Sequence, residues 1–213
     1  MSIKDYYFIF DLDGTIANTL PDIIPAVNYM LKKAGISPKD PYEIERSIGS
    51  GIEEVVKKLT NFKDYNKIKS SVNDFRVHYE EHLIDNTSLY DGVMDFLKKT
   101  CFAGSIITNK PEYYAKNLVR KLGILDYFDI CIGGLERFPH KPDSSSTKFV
   151  MNTYSGNRKT IFVGDSPIDQ QTGANADIIF CFAEYGYSTI EEKNNIKYDH
   201  ILKKFIDINK IFI

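Results

Sequence analysis

Apolar residues recur along the chain in two rhythms. Tyr6-Tyr7-Phe8-Ile9-Phe10 is an unbroken apolar run that reads as a buried strand. Past Thr15 this pattern stops. Ile23, Ile24, Val27, Met30 and Leu31 form a helical stripe over 22–31, and Gly35 supplies its stop. Pro38 and Pro41 punctuate a linker before 42–48, and Gly49-Ser50-Gly51 breaks the chain ahead of a helix over 52–59. Tyr65, Ile68, Val72, Phe75 and Tyr79 mark a longer amphipathic helix within 64–83. The segment from 18 to 87 is therefore expected to be a small cap of helices. Its two connections, near Asn18 and near Tyr90, would return to one edge of the core, which suits a lid.

From Asp91 the rhythm alternates. Helices are expected over 92–100, 113–122 and 145–153, with a short helical connection at 169–174. Strands are expected at 104–107, 128–132, 160–163 and 178–182, and a last helix over 200–211. Helices alternating with short apolar strands favour a mostly parallel sheet covered on both faces. The chain then divides into an α/β core, 1–17 with 88–213, and the helical insertion 18–87. Neither an internal repeat nor a low-complexity region interrupts it.

Composition narrows the class. The 213 residues carry a net charge near −2, and no Lys/Arg block is interleaved with aromatics, so a nucleic-acid partner is not expected. A secretory leader is not expected either, since no cationic start precedes a long apolar segment, and no stretch approaches the length of a bilayer span. Three cysteines cannot all pair within one chain. Cys101, Cys131 and Cys181 each lie beside apolar residues and read as buried thiols of a reducing, cytoplasmic compartment. With no C-x-x-C pair or Cys/His cluster, structural zinc is not expected. The aromatic residues leave monomer and homodimer equally open.

The chemistry collects where strands end. Asp11 and Asp13 follow the first apolar run, and strand alternation sends both carboxylates one way, into one cavity. Such a pair needs a cation or hydrogen-bonded protons to offset repulsion and desolvation. Gly14 allows a tight turn, and Thr15 offers a hydroxyl and an amide to an anion. Ile106-Ile107 ends in Thr108-Asn109, and Thr160-Ile161-Phe162-Val163 ends in Gly164-Asp165-Ser166 with Asp169 close behind. Lys141-Pro142 follows the stretch holding Gly133 and Gly134. In parallel α/β sheets, ligands bind beyond the carboxyl ends of the strands. The recurrence is the argument.

These four segments, taken in their order along the chain, resemble the motifs of the haloacid dehalogenase-like phosphohydrolase superfamily. The insertion after the first motif resembles the helical cap of its phosphoglycolate phosphatase and beta-phosphoglucomutase branch. The resemblance spans nearly the whole chain and implies a Rossmann-like core, Mg²⁺, and a small phosphorylated metabolite as substrate. It implies Asp11 as nucleophile, forming an aspartyl-phosphate, and Asp13 as acid and then base, with its backbone carbonyl on the metal. Asp165 would ligate Mg²⁺ alongside Asp11, while Asp169 would ligate directly or hold a metal-bound water. Thr108 and Asn109 would donate to the phosphoryl oxygens, and Lys141 would neutralise charge there. Arg46 and the Gly49-Ser50-Gly51 loop are the cap features expected to face the leaving group.

Three departures question subfamily placement. Asp143-Ser144 stands where phosphoglycolate-type members commonly continue with a further proline. The stretch Gln170 to Ala176 is more polar than usual, and Asn18-Thr19 replaces an acidic-Ser pair near the cap hinge. A sugar phosphomutase, a nucleotidase or pyrophosphatase on the same core, and a phosphate-ligand-binding protein without catalysis remain the alternatives. A dehalogenase would not need these metal carboxylates.

Overall fold

The run Tyr6–Phe10 is strand β1, and it lies in the middle of a sheet. In the computed structural model, which describes residues 2–134 and 137–212, β1 pairs in parallel with two neighbours. On one side is Ala103–Pro111 (β4), followed outward by Cys131–Gly134 (β5). On the other is Lys159–Gly164 (β6), followed by Ile179–Ala183 (β7) and His200–Leu202 (β8). The order β5-β4-β1-β6-β7-β8 reverses direction at β1, so a crevice opens beyond its carboxyl end. Alternation sends Phe8 and Phe10 to one face with Ile106 and Val163, and Tyr7 and Ile9 to the other with Ile107 and Phe162. Both sets are buried, each ring worth about 2–3 kcal/mol of apolar burial. That is why β1 reads as continuously apolar rather than alternating.

Ala17–Asn18 (β2) and Ser88–Leu89 (β3) form a second, two-stranded antiparallel sheet, too short for the sequence to announce. Between them come only helices: Leu20–Lys33 (α1), Pro41–Glu45 (α2), Ile52–Thr60 (α3) and Tyr65–Glu81 (α4). Their stripes meet as expected, Ile23, Val27 and Met30 of α1 being buried with Ile68, Val72 and Phe75 of α4. Asp22 is buried at the start of α1. Its carboxylate accepts from the Asn86 backbone N–H (2.9 Å), the Asn86 Nδ2 (3.1 Å) and the Thr87 N–H (2.8 Å). These bonds fasten the chain entering the helices to the chain leaving them.

The remaining helices are Val93–Lys99 (α5), Glu112–Lys121 (α6), Ser145–Val150 (α7), Pro167–Ala176 (α8), Ile190–Asn195 (α9) and Ile208–Phe212 (α10). A wider turn over Met151–Ser155 extends α7. The helix expected over 200–211 is corrected: its first part is β8, and helical turns begin only at Phe205 and run into α10. Leu202, Phe205, Ile208 and Phe212 are all buried, and their spacing mimics one helical face. Cys131 and Cys181 are buried thiols as expected, but Cys101, after α5, is exposed. Among the described residues, no helix is long and apolar enough to cross a membrane.

Candidate active site

Beyond β1 the sheet ladder runs one residue further, with the Asp11 N–H donating to Val163 O at 2.9 Å. The chain then turns back in a tight coil, where the Ile16 and Ala17 N–H groups both donate to Leu12 O (3.1 and 3.0 Å). Gly14 makes this possible at φ +85°, where a Cβ would lie 2.3 Å from Asp165 Oδ2. From the loop after β7, Gly186 presses in equally closely, with space for a Cβ only 2.2 Å from Asp165 Cβ. Asp165, at the end of β6, is thus clamped between two glycines. Its Oδ2 accepts from the Tyr187 N–H (2.7 Å) and its Oδ1 from the Thr15 hydroxyl (3.1 Å).

Asp11, Asp165 and Asp169 are all buried, and one carboxylate oxygen of each lies within 4.8 Å of the others. Lys141 is the cation among them, its Nζ 2.8 Å from Asp11 Oδ1 and 2.6 Å from Asp169 Oδ1. The other oxygen of Asp169 accepts from the Ser166 N–H and hydroxyl (3.1 and 2.6 Å), so Asp169 caps α8 and holds Lys141 at once. Burial pushes the Asp11 carboxyl up to about 7, aided by Asp169 and Asp13 and opposed by Lys141. Burial, then the Asp169 and Asp11 charges, pushes Asp165 well above the carboxylate range. Burial works against the Lys141 charge, yet Asp11 and Asp169 hold its affinity for a proton above the lysine norm. Three carboxylates share one lysine, a deficit that a divalent cation with hard oxygen ligands would fill.

The other expected residues take more specific places. Thr108 is buried and lines the cavity above Asp11. Asn109 lines it too, but its amide is engaged: Oδ1 accepts from the Lys141 N–H (2.7 Å), and Nδ2 faces Lys141 O and Gly49 O (both 3.1 Å). It holds the Lys141 backbone and touches the loop before α3. Thr15 is fully buried, with its hydroxyl on Asp165. Arg46 is exposed at the cavity rim, its guanidinium 5.6 Å from the Tyr42 ring centroid. His140 packs against Gly51, where a Cβ would meet it at 2.9 Å, and burial lowers its proton affinity.

Several neighbours of Asp13 escaped the sequence reading. Its Oδ1 accepts from the Thr19 hydroxyl at 2.6 Å and from Lys110 Nζ at 2.8 Å. The Thr19 N–H in turn donates to the Tyr187 hydroxyl at 2.7 Å. Lys110 directly follows Thr108-Asn109, and that adjacency was the available signal. Tyr187 follows the end of β7, where strand-end logic points as well. A cavity of about 330 Å³ lies over these groups, walled by Ile52, Val55, Phe75 and Tyr79 from α3 and α4.

The haloacid dehalogenase-like hydrolase family profile matches residues 8–183. The phosphoglycolate phosphatase of Nitrosospira multiformis is 30% identical over 213 residues, covering 95% of this chain and 93% of its own. That of Chromobacterium violaceum is 31% identical, covering 84% and 85%. The crystal structure of a predicted phosphoglycolate phosphatase from Haemophilus somnus superposes with a TM-score of 0.90 over 99% of both chains, at 25% identity. With four motif segments meeting at one sheet crevice and these matches spanning most of its length, the chain belongs to the haloacid dehalogenase-like hydrolase family, in its phosphoglycolate-phosphatase branch.

Proposed function

We propose that this hydrolase removes the phosphoryl group from phosphoglycolate, with Mg²⁺ as its metal and Asp11 as its nucleophile. The observation that carries the reading is the placement of Asp11, buried at the end of the central strand with its Oδ1 beside Lys141 and opening on the cavity. An Asp11 oxygen attacks phosphorus as the bond to the ester oxygen breaks, giving an aspartyl-phosphate. Asp13 gives its proton to the departing oxygen, then takes one from the water that attacks phosphorus, which frees Asp11 and inorganic phosphate. Lys141 offsets negative charge on Asp11 and the phosphoryl oxygens throughout. Asp11, Asp165 and the Asp13 carbonyl would hold Mg²⁺, with Asp169 beside them, and the ion when bound would supply charge to stabilise the transferring group. Asp169 already serves Lys141 and Ser166, which supports an indirect role towards the metal. The helices α1–α4 form the cap over this floor.

Phosphoglycolate is supported by relatives of that name aligned over more than four-fifths of both chains. A cytoplasmic location is supported by three unpaired thiols. The test is phosphate release from a panel of phosphoglycolate, nucleoside monophosphates, pyrophosphate and sugar phosphates, with Mg²⁺ and with chelator. Phosphoglycolate should lead, and Asp11→Asn should lose turnover by about a thousandfold or more while keeping its thermal unfolding profile. Turnover retained by that variant would overturn the mechanism.

A further inference from the structure

Four consecutive residues after β7, 185–188, wrap around Asp165 and its surroundings. The Tyr185 hydroxyl donates to Thr15 O at 2.7 Å, and the Ser188 hydroxyl donates to Asp165 O. Gly186 sits so close that a Cβ there would collide with the Asp165 side chain. These three fasten the end of β6 to the coil after β1. Tyr187 reaches further. Its N–H donates to Asp165 Oδ2 at 2.7 Å, while its ring carries the hydroxyl to the chain that enters α1.

At that point the start of α1 lacks a cap of its own. Thr19 is the N-cap residue, yet its side chain makes no capping bond, because its hydroxyl donates to Asp13 Oδ1 at 2.6 Å. The Thr19 and Leu20 N–H groups donate instead to the Tyr187 hydroxyl, at 2.7 and 3.2 Å. The phenol donates its own hydrogen to Asn18 Oδ1 at 3.1 Å. The Tyr90 hydroxyl, on the chain leaving the helices, meets the same oxygen. One side chain thus touches both crossings between the sheet and helices α1–α4, and its backbone holds Asp165.

We propose that Tyr187 is a positioning residue that couples the start of α1, and with it Asp13, to Asp165, so that a divalent cation held by Asp165 also orders the cap hinge. The path is short. It runs from Asp165 to the Tyr187 N–H, across a buried ring to its hydroxyl, and through Thr19 to Asp13. Close packing denies such a ring other rotamers, so a shift at one end is felt at the other. Coupling of this kind is reciprocal: whatever orders Asp165 orders the hinge, and an ordered hinge favours the cation by the same factor. The inference rests on the phosphatase reading of Asp13 and the metal, and adds the residue that joins them. A purely structural tyrosine would instead steady the hinge equally with and without the cation.

Hydrogen exchange read by mass spectrometry, on the full chain in chelator and in millimolar Mg²⁺, tests this. In the wild-type protein Mg²⁺ should slow exchange by about tenfold or more, both around Asp165 and in the two hinge segments, 16–21 and 87–91. Tyr187→Phe keeps the N–H on Asp165 and removes the bonds to Thr19 and Leu20. It should retain the Mg²⁺ effect around Asp165, while the hinge exchanges faster and no longer responds to Mg²⁺. Its kcat should fall by about tenfold with KM little changed, the mark of a misplaced Asp13. Unchanged kcat, or hinge protection by Mg²⁺ that persists in Tyr187→Phe, would overturn the inference. So would a wild-type hinge indifferent to Mg²⁺ while the Asp165 segment responds, and the metal reading would then stand. No Mg²⁺ effect even around Asp165 would refute the metal reading and the inference with it. Asn18→Ala removes the phenol's acceptor and should weaken the Mg²⁺ response of the hinge. Should Tyr187→Phe fail to fold, an unchanged response in Asn18→Ala overturns the inference.

Discussion

Three buried carboxylates around one lysine make the metal-free protein sensitive to pH in a direction that the site's geometry fixes. The Asp11 carboxyl is pushed up to about 7 from the ordinary aspartate value of 3.8, first by burial and then by the charges of Asp169 and Asp13. A folded-state value raised above the unfolded one means that the folded protein binds the proton more tightly. The stability this contributes is fully present below the unfolded value and is lost as pH rises through about 7. A shift of about three units corresponds to roughly 4 kcal/mol from Asp11 alone. Asp165 is displaced in the same direction. For a chain of 213 residues, about 4 kcal/mol amounts to roughly 8–16 °C in Tm.

Thermal unfolding followed by circular dichroism, in chelator and in millimolar Mg²⁺ at several pH values from 5 to 8, reads the effect. Much of the loss begins below pH 5, so in chelator Tm should fall by about 5–10 °C between pH 5 and pH 8 relative to Asp11→Asn, which has no carboxylate to ionise there. Added Mg²⁺ should raise Tm most at pH 8, where the carboxylates are free to ligate, and least at pH 5. Lys141 and Lys110 keep their charge across this window, both being held above the lysine norm by their carboxylate partners despite burial. Identical pH profiles for the wild-type protein and Asp11→Asn in chelator would refute the reasoning, as would a Mg²⁺ effect that is largest at pH 5.

Other substitutions test the scaffold around the site. Gly14→Ala would place a Cβ 2.3 Å from Asp165 Oδ2 on a backbone at φ +85°, so it should cost about 2 kcal/mol or more of stability and most of the activity. An unchanged melting curve would contradict that. Asp22→Ala strips the carboxylate that accepts from Asn86 and Thr87, and should lower stability by about 2–4 kcal/mol in chemical denaturation, with Asp22→Asn losing less. Asn109→Ala strands the buried Lys141 N–H and frees the Gly49 carbonyl, and should lower kcat by about tenfold and stability by about 1–3 kcal/mol, measured by steady-state assay and calorimetry.

The core of the site was legible because Asp11 and Asp165 each follow an apolar run that is itself a strand. Asp11 after β1, Thr108 near the end of β4 and Asp165 after β6 are positioned by backbone pairing, and pairing is written in the local pattern of apolar residues. The same locality explains the elements that went unseen. β8 is three residues long and pairs on one side only, and its apolar neighbours repeat at helical spacing. Cys101 has Phe102 beside it, yet the turn between α5 and β4 faces it outward. Asn109 is expected at the phosphoryl group from its place in the motif, and it lines the cavity. Its hydrogen bonds also tie it to a lysine 32 residues away and to the loop before α3, contacts that no local pattern encodes.

Asp13 shows where this kind of reading stops. Asp11 is set by the sheet, but Asp13 lies in the coil that carries the chain from β1 to β2, four residues before Ala17 and six before Thr19. Its carboxylate is held from the helical side, by the Thr19 hydroxyl just ahead of α1, and from the sheet side, by Lys110 under Tyr79. Tyr187, whose own N–H binds Asp165, accepts from Thr19 and so joins the two sides. Asp11, the proposed nucleophile, therefore belongs to the sheet alone, whereas Asp13, the proposed acid and base, is shared between the sheet and the first helix. A motif can name Asp13, but its setting is built from contacts made across the fold. The residues at strand ends are accordingly readable from the sequence, while the setting of Asp13 depends on side chains such as Lys110 and Tyr79 that meet only in three dimensions.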